Sequence, residues 1–401
     1  MVADVLSQAG LTIDLYDQMP SPGRKFLMAG RGGLNLTHSE PLWQFQSRYG
    51  AASARLSPLL DSYGPEDLVA WCQTLGQPTF VGSSGRVFPK SMKASPLLRA
   101  WLTRLKDQHV ALHLRHGWKG WDAVGDLQFS TPAGTVSVPR PSATVLALGG
   151  ASWPRLGSDG GWTTLLAGLG SHIARWQPAN CGVTVDWSDL FKSRFAGQPL
   201  KAIALSIGEI GLRSEVVVTD HGLEGPGIYE LLPQIREQLA IAAAVCMTLD
   251  LRPDSRLDDL AARLDRPAVG ASLASRLRRD IGLSPLQANL LRESLRGVAL
   301  PDRAVDLARL IKALPIAVTG TSSLDRAISS AGGLAFDALA PDFSLKALPD
   351  VYACGEMLDW EAPTGGYLLQ ACFTTAVHVA RTILQKNAGR ADPSGAELDG
   401  A

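Results

Sequence analysis

The chain has 401 residues, 46% of them hydrophobic and 19% charged, enough for one large core or two to three domains. Lys plus Arg and Asp plus Glu stand at 38 each, so no overall field draws the chain to nucleic acid or to an anionic membrane. No apolar run reaches the length of a membrane span, and no basic stretch with an apolar core marks a signal peptide.

Residues 2–9 (VADVLSQA) have helical spacing, and Gly10 is the C-cap expected of that helix. Residues 11–16 read as a buried strand ending at Asp17. Helix, glycine, strand and acidic residue make the second half of a dinucleotide-binding βαβ unit, where an acidic side chain about 20 positions after the glycine motif binds a ribose hydroxyl. Asp17 fits that role. Residues 20–38 (PSPGRKFLMAGRGGLNLTH) form a Gly-rich loop with Arg24, Lys25 and Arg31. Such a loop suits a phosphate or an electron-rich ring, and spacing alone does not separate that reading from a solvated surface loop. Residues 65–76 and 96–106 read as amphipathic helices. Between them lies GSSGRVFPKSMKAS (82–95), whose Arg86 on its own closes a turn.

Residues 109–116 (HVALHLRH) alternate like a strand, with His109 and His113 on one face and His116 on the other. No carboxylate or cysteine completes a metal set, so these histidines are structural and no metal site is expected. Residues 121–139 suggest a hairpin. Residues 142–150 (SATVLALGG) form a continuous apolar strand, suited to burial on both faces, that ends in Gly149 and Gly150. The next stretch, ASWPRLGSDGGW, is turn-rich and leads into a short helix; Ser152 and Asp159 pair with no base by spacing and are assigned no chemistry.

From 178 to 330 the texture changes: strand-like runs over 178–250, helical spacing over 251–314, and a return strand within 315–330. His221 sits in the loop DHGLEGPGI (220–228), whose Gly-Pro can open a helix. A histidine there can shuttle a proton or simply hold the loop. Residues 350–380 then give a short buried strand, the pair Gly355-Glu356, a loop, and Gly365-Gly366 opening an apolar helix. The carboxylate can accept from a sugar-like hydroxyl, the glycines let backbone approach closely, and the helix N-terminus offers free N–H groups and partial positive charge. The five cysteines (72, 181, 246, 354 and 372) form no Cys-x-x-Cys pair, which argues for a reduced, cytoplasmic setting.

Five separated motifs, in order, carry a resemblance over residue 2 to about 385: the Gly-rich loop at 23–38, the segment 85–94, the strand with Gly149-Gly150, the Gly-Pro loop at 222–226, and Gly-Glu…Thr-Gly-Gly-Tyr at 355–367. The chain resembles the bacterial NAD(P)/FAD-dependent oxidoreductases, flavoproteins related to bile-acid dehydro-reductases. The resemblance implies an α/β fold, a three-layer Rossmann-like FAD-binding domain made of 1–177 and 331–386. A β-rich and helical insertion at 178–330 shapes the substrate cavity, and a disordered tail follows at 387–401. It implies that Asp17 binds the adenosine ribose. It further implies that Arg24, Lys25, Gly32, Gly33, Asn35, Gly149, Gly150, Gly355, Glu356, Thr364, Gly365, Gly366 and Tyr367 contact the cofactor, with Thr37 and His38 as weaker contacts. Arg86 then faces the flavin or a substrate carboxylate, and His221 matches a family His-Gly-Leu-x-Gly-Pro pattern. One departure stands out: the first strand and the Gly-x-Gly-x-x-Gly turn are missing. Either the start is assigned too far downstream or the gene is degraded, and the absence of decay elsewhere favours the first.

The expected function is therefore an FAD-dependent oxidoreductase moving hydride or electrons between a small organic substrate and flavin. NAD(P)H as a transient donor is implied only by the resemblance, since no second glycine motif gives a nicotinamide its own fold. A non-catalytic scaffold without FAD and a flavin-dependent amine oxidase are the alternatives, and the charge balance counts against a nucleic-acid substrate. Catalytic residues are not assigned beyond the candidates His221 and Arg86, and the oligomeric state is left open.

Overall fold

The computed structural model describes residues 1–30, 32–267 and 272–391; Arg31 of the Gly-rich loop and residues 392–401 of the expected tail lie outside the described residues. The chain divides into two units, one comprising Met1–Gln177 and the chain from Ile328 on, the other Pro178–Ala327.

In the first unit the helix Val2–Gln8 stops where its sequence directs. Gly10, at φ +84°, donates its N–H to Ser7 O at 3.0 Å. The strand Asp14–Asp17 pairs in parallel with Ala111–Leu114, Asp17 opposite Leu114. It is half-exposed, not buried as its composition suggests, because the two form a sheet of two strands that covers little of either face. Thr144–Leu146 lies parallel to Leu348–Ala353, which also pairs antiparallel with Ser344–Leu345. The apolar run 142–150 thus gives a shorter strand than expected. Within that strand only Leu146 is buried, and the backbone leaves the ladder before the glycine pair. The stretch around 121–139 forms a three-stranded meander, Gly117–Trp121, Leu127–Thr131 and Gly134–Val138.

Two local expectations are corrected. Within the Gly-rich stretch, RKFLMA is the helix Arg24–Ala29, because a run rich in strong helix formers overrides the glycines that only bound it. His116 does not point away from His113. Arg115 takes φ +59° and breaks the strand alternation, so both imidazoles meet the Tyr16 ring, at 5.6 and 4.5 Å between centroids. His113 Nε2 lies 2.7 Å from Asp14 Oδ1.

The first unit closes on the helix Tyr367–Ala391. Its inner face carries Ala371, Ala376, Val379, Ala380 and Ile383 into a core shared with Phe45, Tyr49, Leu56 and Leu60. The helix continues past 387, where the sequence predicts a disordered tail. Arg381 donates to Ser62 O, and Lys386 pairs with Asp342 at 2.6 Å. Among the described residues no helix is long and apolar enough to cross a membrane.

The second unit is organised by an antiparallel seven-stranded sheet in the order Leu314–Val318, Val245–Asp250, Pro199–Ile207, Ile210–Thr219, Gly222–Glu224, Val183–Thr184 and Gly320–Thr321. Alternate residues, such as Val216 and Val218 or Val245, Met247 and Leu249, enter one dry core. The helix Pro226–Leu239 packs on this sheet, with the Gly-Pro turn opening it as the sequence predicts. The helices Leu257–Leu264, Leu273–Arg279, Pro285–Ser294 and Ala304–Lys312 contribute their apolar stripes. A capping box starts the third: Ser284 Oγ accepts from Gln287 N, and Gln287 Oε1 accepts from Ser284 N.

Candidate functional site

The expected cofactor residues of the first unit gather around two contacts between distant segments. The first centres on Lys25 and Glu356. Lys25 rides on the helix Arg24–Ala29, and Glu356 sits in the 3-10 turn Gly355–Met357 directly after the strand Leu348–Ala353. Lys25 Nζ lies 2.6 Å from Glu356 Oε2, and donates to Ser152 Oγ at 2.8 Å and Ser158 Oγ at 3.2 Å. Glu356 Oε1 accepts from Ser330 N at 3.2 Å, and Ser330 Oγ accepts from Ala151 N at 3.0 Å. A buried carboxylate requires such partners, since an unpaired charge away from water is costly. Gly150 has a packing reason to be glycine: a Cβ there would fall 1.9 Å from Ser330 Oγ and 3.2 Å from the Glu356 carboxylate. Gly149 follows the same strand, and its carbonyl accepts from Trp162 Nε1 at 3.0 Å.

The second contact joins the Gly-rich stretch to the closing helix. Gly366, last residue of the turn Thr364–Gly366, lies so close to Thr37 that a Cβ would come within 2.5 Å of its backbone N and Cα. The N-terminus of the 25-residue helix therefore faces the segment Gly32–His38. Two polar atoms in that segment, Asn35 Oδ1 and Thr37 Oγ1, are buried and find no partner in the protein. Buried polar atoms without partners are uncommon in a folded chain, and these two lie two positions apart beside one helix N-terminus. Gly33 lies against Phe88 and Met92, and Leu34 N donates to Met92 O at 2.8 Å, so the segment runs beside the strand Arg86–Pro89.

The remaining candidates separate by what holds them. Asp17 ends its strand with Oδ1 accepting from Met19 N at 2.8 Å. Burial pushes its carboxyl above the ordinary range, against that hydrogen bond and the nearby Arg24. Arg24 Nε donates to Ser21 Oγ. The Tyr367 phenol donates to Glu40 Oε1 at 2.7 Å, and its backbone carbonyl accepts from Tyr49. Burial acts to raise the Glu40 carboxyl, but the hydrogen bonds from Arg48 and Tyr367 outweigh it and hold the group low. The His38 ring stacks on Tyr367 and bonds Ser84 O at 2.9 Å. Gly355 donates its N–H to Thr375 Oγ1.

Arg86 opens the strand Arg86–Pro89 opposite His38, and the turn is made instead by Gly85. His221 lies in the second unit, exposed in the two-residue turn between Ile210–Thr219 and Gly222–Glu224. Residue-by-residue reading missed Ser158 and Ser330 and set Ser152 aside as an unpaired nucleophile. No spacing signal marks a serine that bonds a lysine more than a hundred positions away.

The chain matches the model of the family described as "HI0933-like protein Rossmann domain" over residues 1–382. That match begins at residue 1 and does not bear out an N-terminal loss. A curated relative from Clostridium scindens, named 3-dehydro-bile acid delta(4,6)-reductase, is 23% identical over 96% of this chain and 96% of its own. A solved structure, 3-ketosteroid delta1-dehydrogenase from Sterolibacterium denitrificans in complex with 1,4-androstadiene-3,17-dione, is similar at TM-score 0.52 and 12% identity. It covers 96% of this chain and 97% of that one, and the likeness is one of fold. With the match running over nearly its whole length, the chain belongs to the HI0933-like Rossmann-domain family.

Proposed function

We propose that this protein is an FAD-dependent oxidoreductase acting on a small organic substrate. The observation that carries the reading is the buried, unpartnered pair Asn35 Oδ1 and Thr37 Oγ1 beside the N-terminus of the closing helix. This donor set fits a flavin: an amide oxygen and a hydroxyl for ring N–H and C=O groups, and helix N–H groups for developing negative charge. Asp17, at the end of a parallel strand, would accept from the adenosine ribose, as such strand-end carboxylates do. Arg24, Gly32, Gly33, Gly149, Gly355, Thr364, Gly365 and Gly366 would line the remainder, and Glu356, with acceptor capacity beyond its bonds to Lys25 and Ser330, would take a hydroxyl of the flavin side chain. Bound FAD supplies two-electron transfer, while the protein positions the ring and excludes water.

The names of the curated relative and of the structural neighbour support a small-molecule substrate. NAD(P)H is the electron donor that the family resemblance implies. Five free cysteines suit a cytoplasmic setting.

The test is the visible absorption spectrum of the purified protein, followed by anaerobic addition of NADH or NADPH. Flavin bands are expected, with bleaching by one of the two nucleotides. Folded protein that shows no flavin bands and takes up no added FAD would overturn the reading. Bleaching by amines with peroxide formation would replace it with an amine oxidase.

A further inference from the structure

Lys25 stands in the sequence as a cofactor contact, but its surroundings give it different work. An ammonium group has three N–H donors. Here they meet Glu356 Oε2 at 2.6 Å, Ser152 Oγ at 2.8 Å and Ser158 Oγ at 3.2 Å, which leaves none for a phosphate or a ring. Donor and acceptors come from three separate stretches. Ser152 and Ser158 belong to the turn-rich segment after Gly150, Glu356 to the turn after the strand Leu348–Ala353, and Lys25 itself to the Gly-rich segment. Ser330 fastens the same assembly from a fourth, accepting from Ala151 N and donating its own N–H to Glu356. Ser152, Ser158, Ser330 and Glu356 are all buried.

We propose that Lys25 is a positioning residue: its ion pair with Glu356 ties these segments into the cofactor cradle before any cofactor arrives, without Lys25 touching the cofactor. The proposal rests on the FAD reading for the purpose of the cradle, but not for the existence of the pair. The groups facing Glu356 are Lys25, the hydroxyl and N–H of Ser330, and the thiol of Cys372 on the closing helix. Burial, and then Glu356 itself, push that thiol up and keep it neutral. Lys25 is thus the cation that compensates Glu356. Without it the buried carboxylate stands uncompensated, and burial disfavours a lone charge.

Two measurements test this. In flavin-free protein, Lys25 should react with an amine-acylating reagent at least about tenfold more slowly than the exposed Lys90, and Glu356→Gln should remove most of that protection, as expected when a charge-assisted bond is lost. Lys25 as reactive as Lys90 would overturn the proposal. This arm needs no FAD and no Lys25 variant, so it decides even if FAD does not bind or Lys25→Met does not fold.

The second arm titrates FAD into Lys25→Met, Glu356→Gln and the double variant at several pH values. Lys25→Met should bind about 10- to 100-fold more weakly at pH 8, and the loss should shrink as pH is lowered. The double variant should bind better than Lys25→Met at pH 8 and show a flat profile. If the losses in the two single variants instead add in the double, and Lys25→Met shows no pH dependence, then Lys25 contacts the cofactor directly and the proposal is wrong. If the acylation result holds and no variant or parent binds FAD, the pair stands and the flavin reading fails.

Discussion

The seven-stranded sheet and the Lys25–Glu356 assembly both bury chain, but by different rules. In the sheet, Val216, Val218, Met247 and Leu249 are fully buried among apolar neighbours. Their burial is non-directional, roughly proportional to area, and tolerant of a change in shape that conserves volume. Around Glu356 a buried carboxylate and three buried hydroxyls meet a partly buried ammonium, each needing a partner at a set distance and angle. A sheet of this kind holds a unit together, whereas a polar assembly holds a few atoms in place.

The contrast can be broken at four points. Leu249→Ala should cost about 2–5 kcal/mol in urea denaturation, and Leu249→Met less than about 1.5 kcal/mol. Similar losses for the two would mean that the sheet core is as shape-demanding as the cradle. Gly366→Ala drives a methyl into the Thr37 backbone and forces an L residue to φ +95°. It should cost about 1–3 kcal/mol in stability and abolish flavin uptake at micromolar FAD. Unchanged uptake would separate the helix N-terminus from the cofactor site.

A sharper test is Thr37→Val, which removes a buried hydroxyl that has no protein partner. Stability should hold or rise slightly, since an unsatisfied group is lost, while FAD affinity falls about 3- to 10-fold. A loss of stability with unchanged affinity would show that the hydroxyl serves the fold. The smallest effect is expected at Asp342. Burial acts to raise its carboxyl, but hydrogen bonds from Lys386 and Ser344 outweigh it and hold the group at about 2. A carboxyl depressed in the folded state stabilises fully above its ordinary value near 4, and the gain is lost as pH falls through about 2. Asp342→Asn should therefore flatten the acid limb of stability measured by denaturation between pH 5 and pH 2, leaving flavin affinity unchanged. A variant with the parent's acid limb would show that the Lys386 pair contributes nothing.

Much of the fold was legible because it is written in short-range pattern. The C-cap at Gly10, the helix opened by Gly225-Pro226, the amphipathic helices between 257 and 312 and the start of the last helix after Gly366 each follow from a few neighbouring residues. Errors came where a local signal met a competing one. Strong helix formers made a helix inside a Gly-rich stretch, and one left-handed residue, Arg115, turned His116 back toward His113. The candidate site residues could be named by type and order, but what holds each of them could not. Gly150 is glycine for the sake of Ser330, and Tyr367 uses its hydroxyl on Glu40.

By itself, the sequence determined which residue types could do chemistry and, apart from the helix Arg24–Ala29, most of the elements they ride on, because propensity, capping and periodicity act over a few positions. Only the tertiary structure decided which of those residues meet. Lys25 and Glu356 lie 331 positions apart, and the pairing of a lysine with one carboxylate among many leaves no trace in spacing. The partner is set when parallel strands and a long helix bring remote turns within about 3 Å, the range over which a hydrogen bond discriminates.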